Sequence, residues 1–592
     1  MTNRLTNIAA VSLLVFVFAM AVFSMRNDSL TMDELAHLPA GYSYLTQKDM
    51  RLNPEHPPLV KDLAAFPLLF IKDINFPSDI QSWKDDVNGQ WAFGNKFLFW
   101  SGNPTEEMIF WGRLPMVFIL LLLGFYVFKW ARELYGNNIA LLALFLFSFS
   151  PTLLAHGRLV TTDIGAALGI TAAAYYFLKF LKESSKKNLL IAGLVLGLAL
   201  LTKFSTILLL PFLGFLLLIW LGVNFQSLPQ FLKSFIVYGL KFLVILVVAS
   251  AVIWLVYYYH VFNYPPDRQA NDMEYILGFS SFQGLRQALP NLSYNPVLRP
   301  IAQYLFGLIM VFQRGVGGNT TYFLGEVSNI AWKTYFPIVY LIKEPLAFFI
   351  LAIFGILAAT YLMKKPFWQD FWTRLKSWVK SYFVEFSFLA FIGLYWLMSL
   401  TGNLNIGVRH LLPIFPFMIL LASRLTALWI KPPYLKAKML FLGALLCWQA
   451  VSVVNTYPSF LAYFNELAGG PNQGYVYVTD SNLDWGQDLK RLNQWLEKNK
   501  IPKIYVDYFG GSDARFYLGD KYLQWWSARQ PAEMTETPYL AVSATFLQSE
   551  RGLPSKGFSQ PTGRYLWLDD YQPVAKAGYS IFVYKRSLKT TF

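Results

Sequence analysis

Charge is what this sequence has least of. Asp, Glu, Lys and Arg make up 14% of its 592 residues, against 55% hydrophobic and 18% aromatic residues. A water-soluble domain carries roughly 25% charged residues, so a chain soluble throughout is excluded and an integral membrane protein is implied. Cysteine is nearly absent. The one present, Cys447, lies in an apolar run, so no internal disulfide holds the fold and the thiol reads as a small buried hydrophobe. Internal repeats are also lacking. The formal net charge of +15 does not point to nucleic acid, because the basic residues lie in short runs between apolar stretches. That distribution is the one the positive-inside rule produces, so membrane lipids are the expected partners and nucleic acid is not.

A helical crossing takes about 20 apolar residues, since unpaired backbone groups find no water in the bilayer core. On that rule eleven spans are expected, at 6–25, 110–130, 138–155, 162–180, 188–202, 204–222, 235–259, 345–363, 383–400, 411–430 and 438–456. Residues 188–222 form one apolar run broken by Lys203 and Pro211, long enough for a tight helical hairpin. With a cytoplasmic N-terminus, the basic clusters at Lys129 and Arg132, Lys179 to Lys187, Lys233, Lys364 to Lys380 and Lys431 to Lys438 all fall on one side. A cleaved signal peptide over residues 1–25 is the alternative, and it leaves ten spans with the same sidedness.

The outer segments are then 26–109, 260–344 and the C-terminal stretch, which divides the chain into a membrane domain (1–457) and an extracytoplasmic domain (458–592). In the latter, GYVYVTD (474–480) alternates like a strand, WGQDLKRLNQWLEKNK (485–500) has helical spacing, and KIYVDYF (503–509) reads as a second strand. That is a βαβ unit, and PYLAVSATFL (538–547) and YSIFVYKR (579–586) extend it to a small α/β domain. The expected fold class is an α-helical multi-pass membrane protein with about eleven transmembrane helices and a small C-terminal extracytoplasmic α/β domain.

The scarce titratable groups are clustered. MDELAHLPAGYSYLTQKDMRLNPEHPPLVK (32–61) gathers Asp33, Glu34, His37, Glu55, His56 and Lys61 just past the first span. All five histidines, the others being His156, His260 and His410, fall in outer loops or at outer ends of spans. Asp163, in HGRLVTTD (156–163), stands at the same expected depth as Asp33. Ionisable groups next to lipid are costly, which makes each a functional candidate beside its plainer reading as an interfacial charge. Two carboxylates facing one cavity can divide the labour, one taking a proton from an attacking hydroxyl while the other orients it. Arg158, Lys61, Arg314, Lys343 and Arg409 are cations suited to an anionic head group, guanidinium offering phosphate a bidentate fork. Glu34 with His37, and Glu55 with His56, supply oxygen and imidazole ligands. A divalent metal therefore stays open, although Glu-x-x-His alone is a weak signal and a hydrogen-bonded, metal-free cluster is favoured. Asp480 and Asp484 read equally as ligand-facing residues past a strand or as turn and cap residues.

The Asp-Glu pair after the first span, followed by His-Pro-Pro-Leu-x-Lys (56–61), resembles the first outer loop of the GT-C glycosyltransferases. The likeness is to glycosyltransferase family 39, the protein O-mannosyltransferase and lipid A aminoarabinose transferase group. YFLGE (322–326), NIGVRHLLPIFPF (405–417) and DSNLDWGQDL (480–489) resemble bacterial and archaeal phospholipid-carrier-dependent glycosyltransferases. The resemblance implies transfer, with inversion, of a sugar from a polyprenyl-phosphate-linked donor to a hydroxyl acceptor (lipid, glycan or protein). It places this on the outer face of a prokaryotic plasma (inner) membrane. It implies Asp33 as catalytic base, Glu34 as its neighbour and Asp163 as a second acid. It sets Lys61, His56, Glu55, Arg409 and His410 beside the donor phosphate, with His37, Arg158 and Glu326 as further candidates. His56 stands where the aminoarabinose enzymes show a lysine, as in the mannosyltransferases, and the C-terminal stretch lacks the repeat-type module of the eukaryotic mannosyltransferases. A lipid or solute transporter, or a non-catalytic glycan-binding membrane protein, is the rival reading. Transporters place ionisable groups at the bilayer midplane and often show repeated halves, and neither feature is present.

Overall fold

A computed structural model describes residues 2–225, 227–278, 283–362 and 369–586. Lys364 and Lys365 of the expected inner loop, and Met363 at the end of an expected span, lie outside the described residues.

The described residues contain eight helices long and apolar enough to cross a membrane, or nine if the pair Tyr335–Lys343 and Leu346–Tyr361, bent by 106°, counts as one. The bend falls at Glu344-Pro345, where proline removes a backbone donor. Two expected spans are shorter helices. Residues 138–155 become Asn137–Ser148 and Pro151–His156, interrupted before Pro151, and residues 188–202 become Lys186–Leu200. The run 188–222 is two helices rather than one: Lys186–Leu200 ends before Lys203, and Phe204–Leu208 leads into Leu209–Asn224. Cys447 is exposed on Leu435–Val454 rather than buried, so it lies on the apolar outer face of the helical bundle.

The segment after the first long helix is built around a buried carboxylate. Residues Met32–Gln47 form a helix that begins after Thr31, whose backbone N–H and hydroxyl both donate to Glu34 Oε2 at 2.9 Å. Arg113 meets the same carboxylate, with Nε to Oε1 at 2.8 Å and a second N–H to Oε2 at 2.6 Å. The Val160 N–H donates to Glu34 Oε1 at 2.9 Å. The rest of the Arg113 fork is spent on the carbonyls of Met25, Asp28 and Ser29. One guanidinium thus closes the end of the first long helix, Asn3–Met25, onto the start of the next. The neighbouring Asp28 pairs with Arg158 at 2.6 Å and with Arg491 of the C-terminal domain at 2.7 Å.

The strands, in chain order, are β1 (Thr321–Phe323), β2 (Glu326–Ser328), β3 (Ile504–Asp507), β4 (Tyr522–Gln524), β5 (Tyr539–Ser543), β6 (Leu553–Pro554), β7 (Ala575–Ala577) and β8 (Ile581–Lys585). The main sheet runs β4-β3-β5-β8-β7, with β3 parallel to β4 and β5, and β8 antiparallel to β5 and β7. Alternation gives the sheet two buried faces. Ile504, Val506, Ala541 and Val583 pack against Leu489, Leu492 and Leu496 of helix Leu489–Lys498, while Tyr505, Leu540, Val542 and Phe582 join the core continuous with the membrane helices. The C-terminal domain is therefore fastened to the bundle through its sheet.

Two expectations for this domain fail. Residues 474–480 are not a strand, so the expected βαβ unit over 474–509 is not formed. Gly474–Val476 is a 3₁₀ turn, and the backbone of Tyr477 and Val478 turns back to the Gly474 carbonyl, leaving one bridge, Phe323 to Val478. Its alternation does not carry over into burial, since Val478 is wholly buried and Val476 exposed. The helix begins at Leu489 rather than 485, because Gly486 sits at φ +99°, where a side chain would also meet Gly510 and Tyr508.

Removing one partner of a buried ion pair costs roughly 3–5 kcal/mol, whereas replacing both with apolar residues is often neutral. Arg113→Met should lower the thermal midpoint of the purified protein sharply, and Arg113→Met with Glu34→Met should recover most of the loss. A single variant with the wild-type midpoint would show that Glu34 tolerates isolation.

Candidate active site

One end of the bundle and the C-terminal domain enclose a cavity of about 540 Å³. Asp33 comes from the first turn of helix Met32–Gln47 and Asp163 from the first turn of Thr162–Lys182, both at the positive end of a helix dipole. Arg409 reaches between them from the 3₁₀ segment Val408–Ile414. Its terminal nitrogen donates to Asp33 Oδ2 at 2.6 Å and to Asp163 Oδ2 at 3.1 Å. Lys203, from the break between Lys186–Leu200 and Phe204–Leu208, ion-pairs with the other oxygen of Asp163. Arg409 is held in place by Ser481, which accepts from its Nε at 3.2 Å, and by Trp485, whose ring lies 4.3 Å from the guanidinium carbon.

Asp163 is almost fully buried at 1%, but the Asp33 side chain is 22% exposed, and its Oδ1 has no hydrogen-bond partner among the described residues. Burial by itself would raise the Asp33 pKa. The Arg409 guanidinium, and after it His37, outweighs burial and holds the carboxyl below its ordinary value. His37 donates from Nδ1 to the Val160 carbonyl at 3.0 Å, and its ring meets that of His56 edge-on at 5.1 Å. Burial lowers the pKa of both imidazoles. Glu55, His56 and His410 line the cavity, as does Arg314, which forms no ion pair among the described residues. Glu55 accepts from Gln90 Nε2 at 2.9 Å.

Other sequence candidates are placed elsewhere. Lys61 is not at the cavity. It is fully buried, and its Nζ is taken up by the Tyr44 hydroxyl (2.9 Å), the Asn53 carbonyl (2.8 Å) and side-chain oxygen (2.9 Å), and the His56 carbonyl (2.8 Å). Burial, partly offset by Asp62 and Glu55, brings this amine down to about 7. Its role is to clamp the loop that presents Glu55 and His56, and no donor hydrogen remains for phosphate. Glu34 is spent on Arg113, and Arg158 on Asp28. Lys343 is spent on the carbonyls of Leu461 and Asn482. Glu326 is exposed in β2, away from the cavity, although its neighbour Val327 lines it. Among the described residues, no group of three or more His, Cys, Asp or Glu is placed to hold a metal ion.

Lys203, Ser481 and Trp485 are site residues that spacing did not reveal. Lys203 left one signal, a lone cation interrupting a 35-residue apolar run. Asp480 also lines the cavity, in a left-handed conformation (φ +56°), and burial pushes its carboxyl up to about 6. Asp484 lies behind it, fully buried, with Oδ2 accepting from the Thr545 N–H at 2.8 Å and Oδ1 unpartnered. Burial pushes it up to about 8.

Residues 105–254, about a quarter of the chain, match the family model described as dolichyl-phosphate-mannose-protein mannosyltransferase. The match bears out the resemblance to glycosyltransferase family 39. No curated protein matches the chain. Among solved structures, the protein O-mannosyltransferase Pmt1-Pmt2 complex of S. cerevisiae, bound to the sugar donor, is 20% identical over 46% of this chain and 36% of that one, with a TM-score of 0.35. The chain thus spans about a third of the length of that relative. ArnT from Cupriavidus metallidurans, bound to undecaprenyl phosphate, is 13% identical over 97% of both chains, with a TM-score of 0.30. The Archaeoglobus fulgidus oligosaccharyltransferase, in complex with Zn and sulfate, is 12% identical over 91% of this chain and 69% of that one, with a TM-score of 0.43.

A carboxyl whose pKa is raised on folding stabilises fully below its unfolded value, and that contribution is lost as pH rises through the folded value. For Asp484 the window runs from the ordinary aspartate range up to about 8. Asp484→Asn should therefore flatten the decline of the thermal midpoint between pH 5 and pH 9, gaining most at the alkaline end. An equal midpoint decline in the variant would show that Asp484 is ionised when folded.

Proposed function

We propose that this chain, a membrane glycosyltransferase of GT-C type by its family match, transfers a single sugar from a polyprenyl-phosphate donor to a hydroxyl acceptor. The reaction occurs at the outer face of the membrane, with inversion at the anomeric carbon. What carries the reading is the Asp33–Arg409–Asp163 bridge set at the wall of a cavity that also collects Lys203, Arg314, His56 and His410.

The charges sort the roles. Asp33 and Asp163 are balanced by Arg409 and Lys203, while Arg314 lines the cavity with no ion pair among the described residues. A sugar-phosphate donor brings one negative charge into the site and leaves as a phosphate with a second one developing. Arg314, with Lys203, provides the fixed positive end for that leaving group, and the His56 and His410 rings, which burial keeps neutral, can add only N–H donors. Asp33 offers Oδ1 to the acceptor hydroxyl. The acceptor O–H bond breaks towards Asp33 while its oxygen bonds to the anomeric carbon, and the electron pair of the carbon–phosphate-oxygen bond departs with the phosphate. Arg409 keeps the base ionised and aimed, at some cost in proton affinity. Holding both substrates in line supplies much of the acceleration. Glu34 keeps Asp33 in place through the helix start rather than by touching substrate.

Asp33→Asn should bind the polyprenyl-phosphate sugar with wild-type affinity but turn it over at least about a hundredfold more slowly, the usual scale for a lost general base. Wild-type turnover would exclude Asp33 as the base. The pH–rate profile tests the arrangement separately. The base is active when ionised, so activity is present above its pKa, and with Arg409 in place the acid limb falls below the ordinary aspartate range. Arg409→Gln removes the cation that opposes burial, and the limb should move towards neutrality. A limb that stays in place would uncouple Arg409 from the base.

A further inference from the structure

We infer that the part of the cavity roofed by residues 545–564 is the acceptor subsite, and that the acceptor it takes is a saccharide. The inference rests on the transferase reading above and adds the acceptor's chemical class.

The cavity lining differs in chemistry from segment to segment. The membrane helices and the loops that join them contribute the cations Lys203, Arg314 and Arg409. Residues 545–564 contribute Phe546, Phe558, Ser549, Glu550 and Gln560. Aromatic faces beside neutral and anionic hydrogen-bonding side chains match a sugar ring, which has an apolar C–H face and hydroxyls that both donate and accept. Phe546 stands edge-on to Phe509, centroids 5.7 Å apart, which fixes its ring. Glu550 Oε1 accepts from the Ser527 hydroxyl at 2.7 Å, while Oε2 is buried with no partner. An unpaired buried carboxylate oxygen at a cavity wall is costly unless a ligand donor reaches it. A sugar hydroxyl is such a donor. Arg564, 3.7 Å from Glu550, adds a donor fork at the same spot.

The roof is built in place. β6 runs parallel to β2, and the strap after it is tied down where Ser555 N–H donates to the Val327 carbonyl at 2.8 Å and the Ser328 hydroxyl donates to the Lys556 carbonyl at 2.6 Å. Helix Ala544–Arg551, which carries Phe546, Ser549 and Glu550, is docked at its start on Asp484 through Thr545. The segment that positions it, 480–485, also supplies Ser481 and Trp485 to Arg409. The roof and the reacting end therefore share one scaffold, so a saccharide held above is registered against Asp33 below. An extended peptide is captured along a free sheet edge, and β6, the strand at the roof, is two residues long.

The full chain in lipid nanodiscs would be titrated with chitotriose, mannotriose and a serine/threonine-rich peptide by saturation-transfer NMR, with polyprenyl-phosphate affinity measured alongside. At least one trisaccharide should saturate the wild type. Its affinity should fall at least about tenfold in each of Phe546→Ala, Gln560→Ala and Glu550→Gln, with polyprenyl-phosphate affinity retained as the sign of intact folding. No saturation by either trisaccharide, binding indifferent to all three substitutions, or saturation by the peptide instead would each overturn the inference. Loss of polyprenyl-phosphate binding by the wild type would instead count against the transferase reading itself.

Discussion

Arg409 donates to two carboxylates that reach it from different helices, and much of the structure around the cavity follows from that shared guanidinium. Asp33 and Asp163 would repel each other across a dry site if left alone. With Arg409 between them and Lys203 on the far side of Asp163, the four groups are neutral together, and they hold the ends of two helices at a set spacing. The price is a base of reduced proton affinity, and the return is one that stays ionised and aimed. Trp485 and Ser481 extend the constraint into the C-terminal domain, which is thereby part of the site rather than an appendage to it.

The cations divide by what their hydrogens are doing. Arg113, Arg158, Lys61 and Lys343 are buried, with their charges met by carboxylates or main-chain carbonyls. A buried charge so satisfied holds a fold together and has little left for a ligand. Arg314 is exposed to the cavity without an ion pair among the described residues, and Lys203 is shared with Asp163 at the cavity wall. The same reasoning separates Glu34, spent on Arg113, from its neighbour Asp33, which keeps one oxygen free. Adjacent acids in one motif thus do different work, because successive residues of a helix point about 100° apart.

The multi-span helical class, the presence of a small C-terminal strand-bearing domain and the pairing of Asp33 with Asp163 were legible in the sequence. Each leaves a one-dimensional trace, whether apolar length, period-2 alternation, or acids stranded beside apolar runs. The strand read at 474–480 shows where that trace misleads. GYVYVTD alternates in sequence, but as a turn packed on the bundle it buries Val478 and exposes Val476, two side chains that a strand would put on one face. Likewise, Lys61 and Arg158 have the composition of phosphate ligands and the surroundings of structural ones.

By itself the sequence determined that the chain lies in a membrane, that its ionisable groups gather at the ends of spans, and which acids stand near one depth. These depend on composition and spacing, which survive without knowing any partner. Only the tertiary structure decided which charges are spent and which are free, that Arg409 is the bridge, that Lys203 from an apolar run joins the site, and that residues 545–564 close it. Those outcomes depend on contacts between segments hundreds of residues apart, such as Arg409 with Asp33. A hydrogen bond of that kind is set by where two backbones come to lie, and nothing in either local stretch records it.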